Sequence, residues 1–510
     1  MGKFLWTKFS HFSRNLRDWE LLAGVLVVIY IPMLPQPMFT VLTCARIGAT
    51  HCLILEDSPP KSSPSPKLLV TASFGIEPGR RVEYIPLIEK ALELSSHKPH
   101  KVLIYNRPSM EKVSMHPDLS LDWEEEMATA RSHDCVSVPG HHPVYVLYTS
   151  STTGTPKPFF FFLPSGGVCV MIGCQPPRYV WWDASDLGWV VGHSYICYGP
   201  LLHGNTTGKP VGTLDPGAFI RVMSEHGTSS MFTAPTAIRA IRPQAEHGKQ
   251  YPLRNMFVAG ERCDIETLKW AKRSFGVLVL DHWWQTSDGS SIITASCVGD
   301  GCSFTPPAGT AGKAVPRYNG EIPLHCISFS SLIRLPLPPG AALSLWQNQT
   351  LFKELYFTKF PGYYDYMDAG FVDEEGFLYI MSRYDDVITV AGHRLIFVIA
   401  LAKESYVVCV FVLQSVLLHP AVVGLEDPLK GHVPLALCVL RNGINYIYKI
   451  ETVATLKVVS VKALPKTNSG TIPRSPLTNL VNHTPYKVFS NFTPIIFPHS
   501  DQCSITWTRC

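Results

Sequence analysis

Short apolar runs alternate with stretches of helical periodicity through the first part of the chain, a pattern typical of α/β proteins. Residues 101–105 and 144–147 are β-rich apolar runs, and each predicts a buried strand. Residues 82–94 have apolar positions at helical spacing and predict a helix. Residues 21–34 form an apolar run that is short for a bilayer span, so we expect a buried strand there.

In the middle of the chain, the pattern predicts a strand, then a helix, then a second strand. Residues 256–259 predict a strand, and residues 265–275 predict a helix that Asp264 caps and Gly276 ends. Residues 277–280 predict the next strand. This order indicates a parallel layer, in which ligands bind at the carboxyl ends of the strands.

Two other segments depart from simple alternation. Residues 395–418 are apolar except near Lys403, Glu404 and Ser405, and we expect two buried elements rather than the alternative, a membrane segment. Residues 56–67 are rich in proline and serine and cannot propagate a helix or a strand ladder.

Composition narrows the class of protein. A chain of 510 residues is too long to fold around a single hydrophobic core, so two or more domains are expected. The net charge of +4 is too small and too dispersed to indicate nucleic acid as a partner. Fourteen cysteines without a C-x-x-C spacing indicate buried thiols in a reducing compartment, and neither a zinc site nor a disulfide framework.

The first 18 residues have the composition of a mitochondrial presequence. Residues 1–17 contain Lys3, Lys8, Arg14 and Arg17, several aromatic residues and no acidic residue. The alternative is an ordinary basic first helix.

The stretch from Tyr148 to Pro158 follows a predicted strand and contains a Ser/Thr/Gly cluster that ends in Pro156 and Lys157. Hydroxyls, free backbone N–H groups and a lysine on a loop after a strand suit a polyphosphate. The alternative is a solvated Ser/Thr linker. A Walker loop is excluded at residues 204–209, because the glycine spacing is wrong and Pro210 stands where Ser or Thr would hold magnesium.

Several further motifs follow in a fixed order, and together with this loop they carry a family resemblance. They comprise residues 260–262 (GER), residues 281–286 (DHWWQT), Asp368, residues 382–386 (SRYDD) and residues 392–394 (GHR). The loop itself resembles the phosphate-loop signature of the adenylate-forming enzymes. The whole set resembles the short-chain acyl-CoA synthetases of that superfamily, closest to the propionyl-CoA synthetase type.

The resemblance implies the adenylate-forming α/β fold, with layered sheets and helices in a large N-terminal AMP-binding domain at residues 19–384. A small, mobile α+β domain is expected at residues 385–510, with its hinge near Asp385.

The resemblance also implies the site. The ATP-binding residues would be Thr149, Ser150, Thr152, Thr153, Gly154, Lys157, Gly260, Glu261, Arg262, Asp281, His282, Trp283, Trp284, Gln285, Thr286, Asp368, Arg383 and Arg394. The CoA-binding residues would be Glu77, Pro78, Gly79, Arg80, Val191 and Gly392. The acyl pocket would be lined by Val190, Val191, Ala259 and Trp284.

Physical reasons accompany these roles. The Asp368 carboxylate can accept hydrogen bonds from both ribose hydroxyls, and the Arg80 guanidinium suits the 3′-phosphate of CoA. A flat indole at Trp284 leaves room only for a short acyl chain. Taken without the motifs, each of these residues has a plainer explanation: a surface charge for Asp368, Arg383 and Arg394, a polar turn for Arg80, core packing for the tryptophans, and a buried strand pair for residues 183–203.

The implied reaction joins a short-chain carboxylate, propionate and also acetate, to CoA through an acyl-AMP intermediate. Its co-substrates are ATP and CoA with Mg²⁺, and its partners are small molecules, without nucleic acid or a membrane span. The compartment that the resemblance implies is the mitochondrial matrix.

Three departures from the family pattern bear on catalysis. Thr471 stands at the position of the adenylating lysine, which is expected to act with Arg394, and Ser287-Asp288 replaces a Glu-Thr pair expected near magnesium. Ser151 and Pro158 replace two glycines of the phosphate loop, which removes positions that allow positive φ and close backbone approach. Two hypotheses therefore stand. The first is an acyl-CoA ligase of reduced activity; the second is a non-catalytic relative that binds nucleotide or CoA, or an imperfect gene product that folds poorly.

Overall fold

The computed structural model describes the greater part of the chain. The described residues are 25–54, 66–77, 80–95, 97–108, 112–113, 116–129, 134–149, 157–161, 179–208, 216–241, 251–261, 263, 265–286, 294–295, 306–314, 330–337, 341–383, 388–390, 393–395, 417–428, 431–440, 457–461, 463–464 and 474–484.

Strands alternate with helices along these residues, as an α/β fold requires. The strands are β1 (Leu26–Ile29), β2 (Thr50–Leu53), β3 (Leu68–Ala72), β4 (Phe74–Glu77), β5 (Arg80–Glu83), β6 (Lys101–Tyr105), β7 (Ser120–Asp122), β8 (Tyr145–Tyr148), β9 (Pro158–Phe161), β10 (Val180–Asp183), β11 (Thr206–Gly208), β12 (Ser230–Thr233), β13 (Asn255–Val258), β14 (Val279–Asp281), β15 (Thr294–Ala295), β16 (Lys313–Ala314), β17 (Ser330–Arg334), β18 (Ser344–Leu345), β19 (Tyr363–Val372), β20 (Leu378–Arg383), β21 (Ile388–Val390), β22 (His393–Leu395), β23 (Leu417–Asp427), β24 (Gly431–Leu440) and β25 (Lys457–Ser460). The α-helices are α1 (Pro35–Ile47), α2 (Tyr84–Leu94), α3 (Trp123–Thr129), α4 (Gly199–Leu202), α5 (Pro216–Glu225), α6 (Pro235–Ile241), α7 (Ile265–Phe275), α8 (Gln349–Tyr356) and α9 (Arg474–Val481), and a π-helix spans Gly192–Tyr198.

The largest sheet has the order β18-β9-β8-β2-β1-β3-β6-β7. The strands from β8 to β7 are parallel, while β9 and β18 add to the β8 edge in antiparallel pairs. The strand predicted at residues 101–105 is confirmed as β6, and that predicted at 144–147 is found one residue later as β8. The buried strand expected within residues 21–34 is β1, which is buried throughout.

A second sheet is wholly parallel and has the order β11-β10-β12-β13-β14. Its core joins Trp182 and Met231 from the strands to Phe219, Trp270 and Phe275 from α5 and α7. The helix predicted at residues 265–275 is confirmed as α7, and the parallel strand-helix-strand order around it is confirmed as well.

The predicted start of the strand after α7 was wrong by two residues. Gly276 adopts a left-handed backbone with φ of 71°, and the chain needs Val277 and the next residue to turn back before β14 begins at Val279. The strand predicted at 256–259 begins one residue earlier and ends at Val258.

The helix predicted from residue 82 was also wrong at its start. Val82 pairs with Gly75 and Glu83 pairs with Phe74 in the β4–β5 hairpin, so helix α2 begins only at Tyr84. Residues 183–203 do not form a strand pair, because β10 is followed by the π-helix and α4.

Small sheets complete the described chain: β15 pairs with β16, and a three-stranded sheet has the order β17-β19-β20. In the C-terminal part, β21 to β25 form one sheet in which β23 and β24 pair over their whole lengths. Helix α9 packs against it through Leu477, Leu480 and Val481. Asn482 fixes the end of this helix, because its amide donates to Gly424 O and its Oδ1 accepts from Glu426 N.

The chain divides into two compact units, the first formed mainly by residues up to Ile380 and the second mainly by residues from Met381. Met367–Ala369, at the centre of β19, group with the second unit. The expected domain bounds of 19–384 and 385–510 stay predictions, and the expected hinge at Asp385 lies outside the described residues.

The structure tests the predictions on a membrane segment, on residues 395–418 and on the cysteines only where these residues are described. No helix in the described ranges is both long enough and apolar enough to cross a bilayer. Of the apolar stretch 395–418, only its first and last residues are described. The described cysteines are all free thiols; Cys44, Cys52, Cys197 and Cys263 are buried as expected, whereas Cys135 is exposed.

Candidate active site

Polar and aromatic residues gather at the carboxyl edge of the five-stranded parallel sheet. The ends of β10, β12, β13 and β14 are adjacent. Ala184 N after β10 donates to Phe232 O of β12 at 2.9 Å, Thr233 of β12 pairs with Val258 of β13, and His282 N after β14 donates to Val258 O at 2.9 Å. This edge is where an open parallel sheet binds ligands. The motif that begins with Gly260 and Glu261 and the motif of residues 281–286 therefore follow two neighbouring strand ends.

Gly260 turns the chain after β13 with a φ of 90°, which favours glycine. A Cβ built on Gly260 would meet nothing within 4 Å, so the backbone there is open to a ligand. Flat groups such as a purine base can approach a backbone of this kind closely.

The next residue, Glu261, is held by helix α6. Its Oε1 accepts from Thr236 N at 2.7 Å and from the Thr236 hydroxyl, and Arg239 Nη1 lies 3.4 Å away. The carboxylate thus satisfies a free N–H group in the first turn of α6 and orients the turn that contains Gly260. Arg262 lies outside the described residues.

The side chains of residues 282–285 alternate between two surroundings. His282 and Trp284 contact Phe232 of β12, with ring centroids 6.5 and 5.8 Å apart, respectively. Trp283 and Gln285 contact β19 instead. The Trp283 ring meets the Tyr366 ring edge-on at 5.3 Å, and Gln285 Nε2 donates to Tyr366 O at 2.7 Å.

His282 is buried, and no hydrogen-bond partner for either ring nitrogen is found in the described part of the chain. Desolvation lowers the pKa of this imidazole to about 3, so it is neutral at physiological pH. Its ring packs 5.1 Å from Phe257. Asp281 is 8% exposed and closes β14, whereas Thr286 is half-buried.

The four residues expected to line the acyl pocket differ in burial. Val190, Val191 and Ala259 are buried, and Trp284 is half-buried. Trp284 stacks on Tyr195, a π-helix residue whose ring centroid is 5.8 Å away and whose plane is tilted by 28°. Sequence reasoning missed Tyr195, because a buried aromatic in an apolar stretch gives no sign of which ring it will contact.

The predicted phosphate loop connects β8 to β9. Thr149 N donates to Lys157 O at 3.0 Å, and Thr149 Oγ1 accepts from Lys157 N at 3.3 Å, so these two residues close the loop. Pro158 begins β9 opposite Tyr148, where its lack of an N–H is tolerated. Ser150, Thr152, Thr153 and Gly154 lie outside the described residues.

The predicted CoA contact lies at the β4–β5 hairpin, in which Glu77 pairs with Arg80. The side chains of these two residues, together with Pro78 and Gly79, lie outside what the structure describes. Two arginines that the motif did not identify, one within the hairpin and one beside it, pack on its Phe74 ring. The guanidinium carbons of Arg81 and Arg107 lie 4.2 and 4.6 Å from the centre of the Phe74 ring.

Asp368 lies on β19, two residues after Tyr366, and is 8% exposed. Met367 immediately before it has a φ of 58°, a left-handed conformation that costs a non-glycine residue about 1–3 kcal/mol and is concentrated at functional sites. Arg383 and Arg394 lie on β20 and β22, but their side chains are outside the described set, as are Gly392 and Thr471 altogether.

The pKa values of three buried thiols make them unsuited to act as nucleophiles. Burial raises the pKa of Cys52 to about 12 and raises those of Cys44 and Cys197 further, so these groups remain protonated at neutral pH. Among the described residues, no group of three or more His, Cys, Asp or Glu side chains could hold a metal ion.

Comparison with known proteins identifies the family. The sequence model of the family described as AMP-binding enzyme matches residues 4–322. The human acyl-CoA synthetase short-chain family member 3, mitochondrial, is 56% identical, and the alignment covers 94% of this chain and 75% of the human protein. Acyl-CoA synthetase short-chain family member B, mitochondrial, of Dictyostelium discoideum is 35% identical over 95% of this chain and 76% of its own length. The acetyl-coenzyme A synthetase of Photobacterium profundum is 29% identical over 91% of this chain and 76% of its own length.

The resemblance and the fold predicted from the motifs are confirmed: the chain belongs to the AMP-binding enzyme family, among the short-chain acyl-CoA synthetases related to member 3.

Proposed function

We propose that this protein is an ATP-dependent ligase that joins a short-chain carboxylate, propionate and also acetate, to CoA through an acyl-AMP intermediate. The observation that carries the proposal is the arrangement at the carboxyl edge of the parallel sheet. There the open turn at Gly260 lies beside residues 281–286, whose Trp284 is partly accessible and rests on buried rings.

ATP is the co-substrate that this edge fits. The open space over Gly260 suits adenine, with Glu261 holding the turn through α6. Asp368 is proposed to accept hydrogen bonds from the ribose hydroxyls, with Arg383 supporting the same sugar. The loop closed by Thr149 and Lys157 is proposed to hold the phosphates.

Magnesium is proposed to accompany ATP. A Mg²⁺ ion bound mainly by triphosphate oxygens needs only one or two carboxylates from a protein. When bound, the ion would neutralise phosphate charge.

The acyl preference follows from the size of the pocket residues. Ala259 is small, and we expect Val190, Val191 and the Trp284 indole to line a pocket that admits only a short chain. One methylene in such a pocket is worth about 1–3 kcal/mol of discrimination. We therefore propose propionate ahead of acetate, with little use of chains beyond butyrate.

The experiment is a comparison of acyl-CoA formation from carboxylates of increasing length, with ATP, Mg²⁺ and CoA supplied. The Thr471→Lys variant, assayed in parallel, separates substrate choice from catalytic rate, because both chains keep the same pocket. Equal rates with propionate and octanoate in either chain would contradict the role given to Trp284.

The mitochondrial matrix is the proposed compartment. The relatives of human and Dictyostelium origin are mitochondrial by name, and the basic residues 1–17 contain no acidic side chain.

A second candidate is a non-catalytic relative that binds nucleotide or CoA. Thr471 favours it, because a neutral hydroxyl cannot replace the charge of a lysine, and Pro158 offers no backbone N–H to a phosphate. ATP–pyrophosphate exchange separates the two candidates, whereas ATP binding does not, since both would retain the adenine and ribose residues.

A further inference from the structure

The π-helix at Gly192–Tyr198 directly follows Val190 and Val191, and all seven of its residues are buried. The hydrogen bond that is typical of a π-helix joins Gly199 N to Ser194 O, five residues earlier in the chain. Short π-helical segments occur frequently at functional sites. Here the register decides which side chain of the segment points towards the sheet edge.

The entry to the π-helix is sterically fixed. A Cβ on Gly192 would lie 2.4 Å from Leu187 Cα and 2.5 Å from Leu187 O, so the backbone at Gly192 admits no side chain. Ser194 Oγ donates to Val190 O at 2.9 Å, and His193 Nδ1 lies 3.0 Å from Trp189 O. The close packing at Gly192 and these two hydrogen bonds therefore fix the backbone between Val190 and Tyr195.

Tyr195 is the residue that this path brings to the site. It is 1% exposed, and its ring stacks on Phe232 at 5.0 Å and on Trp181 at 5.7 Å. It also stacks on Trp284 at 5.8 Å with planes 28° apart, and Phe232 contacts Trp284 at 5.8 Å. Trp284 thus rests on two fully packed rings that are anchored in β12 and in the π-helix.

We infer that Tyr195 is a positioning residue that sets the plane of the Trp284 indole and thereby the length of acyl chain the site accepts. The inference rests on the proposed function and extends it to a residue that touches no substrate. A side chain of the same volume without a flat ring would let the indole tilt towards Tyr195 and deepen the pocket. The predicted effect is on selectivity between chain lengths rather than on nucleotide binding.

The test uses propyl-AMP and pentyl-AMP, alkyl esters that mimic the acyl adenylate and need no catalysis. Calorimetry on the full chain should give propyl-AMP an affinity at least about tenfold higher than pentyl-AMP, since two added methylenes meet Trp284. Tyr195→Met, which keeps an apolar side chain of similar length, should reduce this ratio to less than about threefold. Tyr195→Phe keeps the ring and should retain the ratio of the unmodified chain.

The matched control is Tyr251→Met. Tyr251 is also buried and packs on Phe275 at 5.3 Å, but it belongs to the core cluster beneath α7 and not to the Trp284 contacts. Its loss should leave the propyl-to-pentyl ratio unchanged even if the melting temperature falls. If Tyr195→Met fails to fold, Phe232→Met applies the same test through the second ring.

An unchanged ratio in a folded Tyr195→Met or Phe232→Met protein would overturn the inference. Failure of the unmodified chain to bind either ester would instead count against the proposed function, so the two failures are distinguishable. A ratio that falls equally in Tyr195→Met and Tyr251→Met would assign the effect to general loosening of the core and would also overturn the inference.

Discussion

Acid should destabilise the first unit through its buried histidines. His51, His193 and His282 are buried, and desolvation lowers the pKa of each, to about 4 for His193 and about 3 for His282. His51 and His193 also stack on one another at 5.3 Å, and their mutual repulsion when charged lowers the pKa of His51 further. The folded unit therefore keeps all three imidazoles neutral under conditions in which the unfolded chain would protonate them.

The magnitude follows from proton linkage. An unfolded histidine binds its proton near pH 6.5, whereas His193 does so in the folded state only near pH 4. Between these values the unfolded chain holds more protons, so the free energy of unfolding falls as the pH falls. At pH 5 the loss relative to pH 7 is about 2 kcal/mol for each such imidazole, or about 4 kcal/mol for His193 and His282 together.

The assay is urea unfolding followed by tryptophan fluorescence at pH 7 and pH 5. Ten of the eleven tryptophans of the chain precede Ile380, so the signal reports mainly the first unit. His282→Phe should recover about 2 kcal/mol of the loss at pH 5, because a phenyl ring packs against Phe232 and Phe257 without titrating. An equal loss of stability in His282→Phe and in the unmodified chain would refute the reasoning.

Three shorter predictions concern the site and its supports. Asp368→Ala should weaken ATP binding at least about tenfold, because a hydrogen bond to a charged group contributes about 1.5–3 kcal/mol, and unchanged affinity by calorimetry would remove Asp368 from the site. Glu261→Ala should lower the stability of the first unit by about 1 kcal/mol by leaving the Thr236 N–H without its acceptor, as measured by urea unfolding at pH 7 against Glu266→Ala on the surface of α7. Because Thr471 replaces the family lysine, ATP–pyrophosphate exchange by this chain should be about 10²–10³-fold slower than with the lysine, and Thr471→Lys should recover part of that rate. Full-speed exchange by the unmodified chain would show that another cation acts there.

The sequence was sufficient for elements whose pattern is local. Strand β6 and helix α7 have the predicted bounds, because apolar periodicity and a terminal glycine decide them without help from elsewhere in the chain. The start of α2 was misjudged, because Val82 has a helical pattern but pairs with Gly75 in the β4–β5 hairpin. Long-range pairing of this kind leaves no local mark.

The site shows the same contrast between local patterns, which the sequence reveals, and long-range contacts, which it does not. The motifs identified residues 281–286 as a unit, and their order along the chain predicted that they would lie at a strand end. They did not show that His282 would point into the core while Trp283 meets β19, since that depends on which strands are neighbours. Tyr195 contacts Trp284 from a distant part of the chain, so spacing alone could not identify it.

The most direct test of the central claim is thioester formation from chemically prepared propionyl-AMP and CoA, measured by mass spectrometry of the product. This half-reaction does not use the lysine that Thr471 replaces, so it isolates the acyl and CoA sites from the altered adenylation step. The account predicts propionyl-CoA well above the uncatalysed background, reduced when the acyl group is lengthened to octanoyl-AMP. A folded protein that binds ATP but forms no propionyl-CoA from propionyl-AMP would contradict the claim that this chain is a short-chain acyl-CoA ligase.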